Sequence, residues 1–440
     1  MSAAERKVIV LGGGISGVAL ASELAENTEL LEMQPRTGGL CETVSEQGFT
    51  FDAAGPHIMF SKNKAVLELM KSVLDGNVAE RRRENKIWFK GRMVKYPFEN
   101  DLAALPVQDT FECLAGYITN PRRDDVPKNL AEWSYATFGA GISEKYFIPY
   151  NRKIWNHDPE QLGLDFVARI PKPPLEDVLR SALGISTEGY LHQLNFSYPV
   201  SGGFEALVRG FEARVRGRVR TGFRVAHVEP RGALGSGAGW LVRSATGEAL
   251  ACDELVSTLP IHELLAIWPS APRAAREAAT RLRYNSLINV VLGSDAERTH
   301  AYTAVYVPDP EVIFHRVSFP EGFSPHCVPP GSSLAMAEIT ANEGDGVWEL
   351  TDAALIERAT SGLARMGLLD PARVSYRRVL RFRYGYPVTD LGYHANVGAL
   401  REAVAATGIH LLGRFAEFEY INSDVCIERA MALAERLRNA

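Results

Sequence analysis

Short apolar runs alternate with helical and turn-rich stretches along this chain. Val8–Leu11 is aliphatic and partly β-branched, as a buried strand requires. A glycine-rich turn follows at 12–17, residues 18–25 carry a helical pattern, and Thr28–Leu31 is a second apolar run ending at Glu32. This order predicts a strand–helix–strand unit. Residues 86–89 and 93–96, joined at Gly91-Arg92, predict a hairpin. Residues from about 101 to 185 favour helix, with proline breaks at 171–174. Alternation at 215–228 and 240–256, around the glycine-rich turn at 232–239, predicts strands, as do 282–292 and 301–307. Residues 353–366 and 396–407 are helical in pattern, and 426–439 reads as an amphipathic final helix.

No stretch reads as a transmembrane helix. The longest apolar segment, 8 to about 25, holds four glycines and two serines. Lys7 and that segment would also fit a signal peptide, but the glycines stand where a nucleotide-binding turn needs them.

Composition narrows the class. The chain has 440 residues, 46% hydrophobic and 23% charged, which is globular and allows roughly two to four domain-sized units. A net charge of −5 gives no general attraction to nucleic acid or an anionic membrane. Cys41, Cys113, Cys252, Cys327 and Cys426 are scattered and form no CxxC pair. Neither a disulfide framework nor a metal site is expected, and a reducing cytoplasm fits best. The oligomeric state is left open.

Gly12, Gly14 and Gly17 form GxGxxG between a strand and a helix. The first allows the tight turn, the second lets backbone approach a pyrophosphate, and the third allows close helix–strand packing. Glu32 lies 20 residues beyond Gly12, where a carboxylate accepts from a ribose 2′-OH and would repel the 2′-phosphate of NADP. NAD and FAD share this unit. The run Glu32…Arg36…Gly38-Gly39 resembles the second fingerprint of the flavin amine oxidase and glutathione reductase superfamily, where it lies along the FAD diphosphate. Thr258-Leu259-Pro260 resembles the chain's return to the FAD domain, and Gly413-Arg414 the late motif beside the flavin. An NAD-linked dehydrogenase would leave the ExxxRxGG run unexplained.

Beyond FAD, the chain resembles the UDP-galactopyranose mutase family along almost its whole length. The motifs are Gly55-Pro56-His57-Ile58-Met59-Phe60-Ser61, Trp88…Tyr96-Pro97-Phe98, Lys153-Ile154-Trp155…Asp158-Pro159…Leu162 and Arg169-Ile170-Pro171. Phe196…Pro199…Gly202-Gly203-Phe204, Phe314-His315-Arg316, Glu338-Ile339-Thr340, Tyr386-Pro387 and Gly413-Arg414-Phe415…Tyr420…Asn422…Asp424 continue the series. The resemblance implies an α/β fold: a Rossmann-like FAD domain (1–85, 205–260, 380–440), a mostly helical insert (100–195) and an antiparallel β-sheet substrate platform (86–98, 281–345). It implies a nucleotide-sugar pyranose/furanose mutase, active with reduced FAD, whose N5 attacks the anomeric carbon and expels the nucleoside diphosphate.

The resemblance also distributes roles. Arg169 and Arg316 would hold the diphosphate, which suits guanidinium forks, and Tyr386 and Tyr420 would hydrogen-bond the phosphates. His57 would face the flavin, and Trp155, Phe196 and Asn422 would meet substrate. Cofactor contacts would come from Gly12, Gly14, Ile15, Ser16, Gly17, Glu32, Met33, Arg36, Gly38, Gly39, Leu40, His57, Val225, Gly413, Arg414, Asn422 and Ser423. On spacing alone, Arg169 also fits an ion pair with Asp165, Tyr386 a turn and Trp155 plain burial. Two positions depart from the family's pattern: Phe60 stands where bacterial members have a second histidine, and Asn422 where the family has the first of two late aspartates, the second being kept as Asp424. Sugar and base specificity would differ accordingly. The alternative is an FAD-dependent oxidoreductase of the amine-oxidase or protoporphyrinogen-oxidase type, acting on a sugar or natural-product intermediate. A third option is an idle FAD-binding scaffold.

Overall fold

Alternate residues of Val8–Leu11 enter two different cores. Val8 and Val10 join one apolar cluster, with Leu30 and Val256, while Ile9 and Leu11 join another, with Leu31 and Leu255. A strand buried on both faces cannot afford polar alternation, which is why this run is continuously aliphatic. It lies third in a five-stranded parallel sheet ordered Ile409–Leu411, Glu254–Ser257, Val8–Leu11, Thr28–Leu31, Arg218–Arg220. Helices Ile15–Glu23 and Ser423–Asn439 pack together over one face. The computed structural model describes residues 6–167, 170, 172–187 and 194–439.

A second, seven-stranded sheet runs Val374–Val388, Arg283–Ser294, Ser333–Ala341, Arg316–Ser318, Ala304–Tyr306, Asn85–Phe89, Arg92–Lys95. Its neighbours are antiparallel except Ala304–Tyr306 against Asn85–Phe89. Between 100 and 195 the helices Val107–Ile118, Leu130–Ile142, Ile148–Trp155 and Leu175–Ala182 enclose an aromatic core with Trp133, Phe138 and Phe147. Among the described residues no helix is long and apolar enough to cross a membrane.

Three expectations change in detail. The run 215–228 is two strands, because at Gly222 (φ +68°) the chain leaves the parallel sheet and Val225–Pro230 starts a separate three-stranded sheet. The run 240–256 is three strands, Trp240–Ser244 and Ala249–Cys252 in that small sheet and Glu254–Ser257 in the parallel one. The boundary expected at 380 falls inside Val374–Val388, whose ladder with Arg283–Ser294 is unbroken in direction from Ser294↔Val374 to Arg283↔Val388. That strand therefore belongs to the seven-stranded sheet. Its arginine-rich outer positions disguise the apolar alternation that would mark it in the sequence.

Candidate active site

Four segments distant in sequence converge at the carboxyl ends of the parallel strands, where ligands of open α/β sheets bind. Gly12–Gly14 lead from the first strand into helix Ile15–Glu23, whose first residues Ile15 and Ser16 are buried. The Gly38 amide donates to the Gly13 carbonyl at 2.9 Å, and Gly39 lies so close that a Cβ there would come within 3.0 Å of Gly14 Cα. Thr258 Oγ1 donates to the Leu11 and Gly12 carbonyls at 2.8 and 3.1 Å. Gly413, at φ +101°, lies against Ser16. At Gly14 itself an added Cβ would meet nothing nearer than 3.9 Å. The helix N-terminus thus opens on free space walled by backbone, which fits a dinucleotide pyrophosphate.

Both Glu32 carboxylate oxygens accept backbone amides, from Gly13 and Gln34, each at 2.7 Å. This fixes the acid at the strand end and leaves further lone pairs for a ribose hydroxyl. Arg36 is ion-paired with Glu42 and, at 3.6 Å, with Glu205. Met33 is exposed and Val225 half-buried; the Phe223 amide, donating to the Glu32 carbonyl at 2.8 Å, sets that strand beside the acid.

A cavity of about 440 Å³ joins this cradle to the seven-stranded sheet and the helices. Leu40, His57, Arg414, Asn422 and Ser423 line it, as do Arg316, Tyr386 and Tyr420. Seven of the expected residues therefore meet at this one cavity besides His57. Tyr386 reaches it from the long strand, paired with Asn285. Tyr420 lies beneath the Arg414 guanidinium, 5.3 Å from its ring centre, and 5.7 Å from Tyr386. Arg414 Nε donates to the Ile421 carbonyl at 2.7 Å, closing the loop that carries Tyr420.

Electrostatics sharpen the roles. Arg316 holds Glu338 through a fork, Nε to Oε1 at 2.5 Å and Nη2 to Oε2 at 2.7 Å, and Glu338 is wholly buried. The Arg316 pKa stays well above its ordinary value: burial opposes the charge, and Glu338 more than compensates. Burial pushes the Tyr386 phenol upward, and nearby Glu338 adds to this, so it remains a hydrogen-bond donor. His57 stacks on Phe204, with ring centres 5.2 Å apart. Burial, with Arg414 and Arg316 nearby, drops its pKa to about 3, so the imidazole is neutral.

Two expected substrate residues lie outside the cavity lining. Trp155, buried, backs Tyr420 and Tyr386 with ring centres at 5.6 and 6.3 Å, and its Nε1 donates to Asn151. Phe196, buried, pairs with Arg81 in a short ladder and packs on Phe323. Their bulk and apolar surface put them in the core, as their residue types favour. Arg169 lies outside the described residues, while its neighbour Ile170 lines the cavity. Sequence reasoning assigned no role to Glu338, Asp52, Tyr150 or Tyr306. A buried glutamate inside the apolar strand Ser333–Ala341 is the signal that could have found the first.

The chain as a whole is similar to known proteins. A model of the flavin containing amine oxidoreductase family matches residues 15–403. Coproporphyrinogen III oxidase of Bacillus subtilis (strain 168) is 21% identical over 472 residues, covering 98% of each chain. The dTDP-fucopyranose mutase of Escherichia coli is 23% identical over 176 residues, 38% of this chain and 46% of that one. The crystal structure of a reduced UDP-galactopyranose mutase superposes with a TM-score of 0.89 at 23% identity, covering 99% of this chain and 96% of that one.

Proposed function

We propose, for a chain that belongs to the flavin-containing amine oxidoreductase family, the interconversion of pyranose and furanose forms of a nucleotide sugar on reduced FAD. The chain is a flavin-dependent enzyme, its cofactor is FAD, and its α/β fold is of the flavin amine-oxidase type. The observation that carries the finer reading is a shared lining: the Arg316 guanidinium and the Tyr386 and Tyr420 phenols line the same cavity as His57, Asn422 and Ser423.

Reduced FAD supplies a nucleophilic nitrogen for the anomeric carbon. The chain must hold the departing diphosphate and return it. Arg316 keeps its charge throughout, and because Glu338 takes Nε and Nη2, the Nη1 donors remain for a phosphate oxygen. Tyr386 and Tyr420 add neutral donors, which tighten as negative charge grows on the leaving group. The neutral His57 can offer or accept a hydrogen bond at the flavin edge without adding charge.

A second reading, oxidation of a larger apolar substrate, is favoured by one observation: Phe138, Ile142, Phe147, Ile154, Phe166 and Leu287 also line the cavity. The end-to-end similarity to a coproporphyrinogen III oxidase accords with it. One experiment separates the two. Oxidised and dithionite-reduced enzyme are incubated with UDP-, GDP- and TDP-sugars. Furanose product from the reduced form alone, without stoichiometric reductant, supports the mutase. Oxygen consumption with one peroxide per turnover supports the oxidase, and no binding of UDP, GDP or TDP at millimolar concentration removes the mutase reading.

A further inference from the structure

Asp52 ends the strand Phe49–Asp52 directly before the loop that carries His57, and it is buried. Its carboxylate is surrounded by donors from separate parts of the chain. Tyr198 Oη lies 3.1 and 3.0 Å from its two oxygens, the Phe204 amide donates to Oδ1 at 2.8 Å, and Thr43 Oγ1 to the same oxygen at 3.1 Å. The His57 amide donates to Oδ2 at 3.3 Å. Asp52 therefore fixes the backbone of His57 and, through the Phe204 amide, the ring on which the imidazole stacks.

The loop between them is pinned from the other side too. Asn289 Nδ2, on the seven-stranded sheet, donates to the Ala53 carbonyl at 2.6 Å, and Gly55 rests against the Glu338 carboxylate. No lysine or arginine among the described residues forms an ion pair with Asp52. A buried carboxylate held only by neutral donors is costly, and an uncharged residue would stabilise this corner more cheaply. What the carboxylate adds is a fixed set of acceptor positions, and a negative charge, hydrogen-bonded to the His57 amide.

We propose that Asp52 is a positioning residue which, through His57, sets the environment of the flavin bound in the cradle. Thr43, His57, Tyr198 and Phe204 all donate to the carboxylate, so Asp52→Asn turns an acceptor into an N–H facing donors while keeping the size of the side chain.

The test is a double-mutant cycle on FAD-loaded protein, read as the midpoint potential of the bound flavin at about pH 8. There the Asp52 carboxyl, raised to about 6 by burial, is ionised. Asp52→Asn and His57→Ala are expected to shift the potential in the same direction, and the double variant no further than His57→Ala alone. Additive shifts, an unmoved potential in either single variant, or a lowered melting temperature with unmoved potential in Asp52→Asn would overturn the proposal. If Asp52→Asn fails to retain FAD, Tyr198→Phe enters the same cycle, since it removes one donor and keeps the carboxylate. The same non-additive shift is expected, and an additive or absent one overturns the proposal. Because the readout uses only FAD, failure of the nucleotide-sugar reading leaves this test intact.

Discussion

Arg316 and Glu338 face each other across adjacent antiparallel strands, directly paired in register, and their side chains close into a two-pronged ion pair over a fully buried carboxylate. Removing one partner strands the other's charge. Glu338→Ala should cost about 3–5 kcal/mol of stability, whereas the double variant with Arg316→Met should recover much of that loss. Denaturant unfolding of the FAD-loaded proteins measures both, and a Glu338→Ala cost below about 1 kcal/mol would mean that the pair is effectively solvated.

The same arginine should matter to ligand in a way that stability does not explain. Arg316→Ala is expected to weaken UDP, GDP or TDP binding by about 10- to 150-fold, or roughly 1.5–3 kcal/mol, while FAD stays bound. Arg316→Lys should restore only part, because a point charge cannot both hold Glu338 as a fork and reach a phosphate. Titration followed by flavin fluorescence gives the comparison. Equal affinity in wild type and Arg316→Ala would leave the guanidinium a purely structural role.

Two glycines of the first fingerprint should fail differently. At Gly14 the chain leaves room for a Cβ, so Gly14→Val should fold yet exclude the pyrophosphate, giving a colourless, cooperatively unfolding protein. At Gly17 a Cβ would collide with the Gly12 carbonyl, so Gly17→Val should lose the fold as well as the flavin. Flavin absorbance alongside circular dichroism distinguishes the outcomes; a yellow Gly14→Val protein would remove the pyrophosphate from that turn.

His57 and Asp52 should pull acid stability in opposite directions. The folded pKa of His57 is about 3 against 6.5 when unfolded, so below pH 6.5 only the unfolded chain takes up the proton. Its contribution to stability is present above that pH and is lost as pH falls towards 3, at up to about 1.4 kcal/mol per unit. Asp52 rises from 3.8 to about 6, so between those values the folded form binds the proton first and gains stability as pH falls. Relative to wild type, His57→Gln should therefore gain stability on going from about pH 7.5 to about pH 5. Urea midpoints at the two pH values check it, and an unchanged difference would show that the imidazole is freely protonated in the folded protein.

The dinucleotide unit was legible in the sequence because its constraints are local. A turn that must approach a phosphate needs glycine at fixed spacing, and a strand buried on both faces needs unbroken aliphatic residues, so residues 8–39 declare themselves without the rest of the chain. The motifs around His57, Arg316, Tyr386 and Tyr420 were legible as resemblances, and the fold brings all four to one cavity. What only tertiary structure decided is the set of partners. That Arg316 is already engaged by Glu338, that Trp155 and Phe196 are buried outside the cavity lining, and that Val374–Val388 belongs to the seven-stranded sheet all depend on which strands lie side by side. Val374–Val388, for one, pairs with Arg283–Ser294, a strand distant in the chain. Periodicity shows that a residue is on a buried face but not what it meets there, since pairing is chosen by the packing of the whole core.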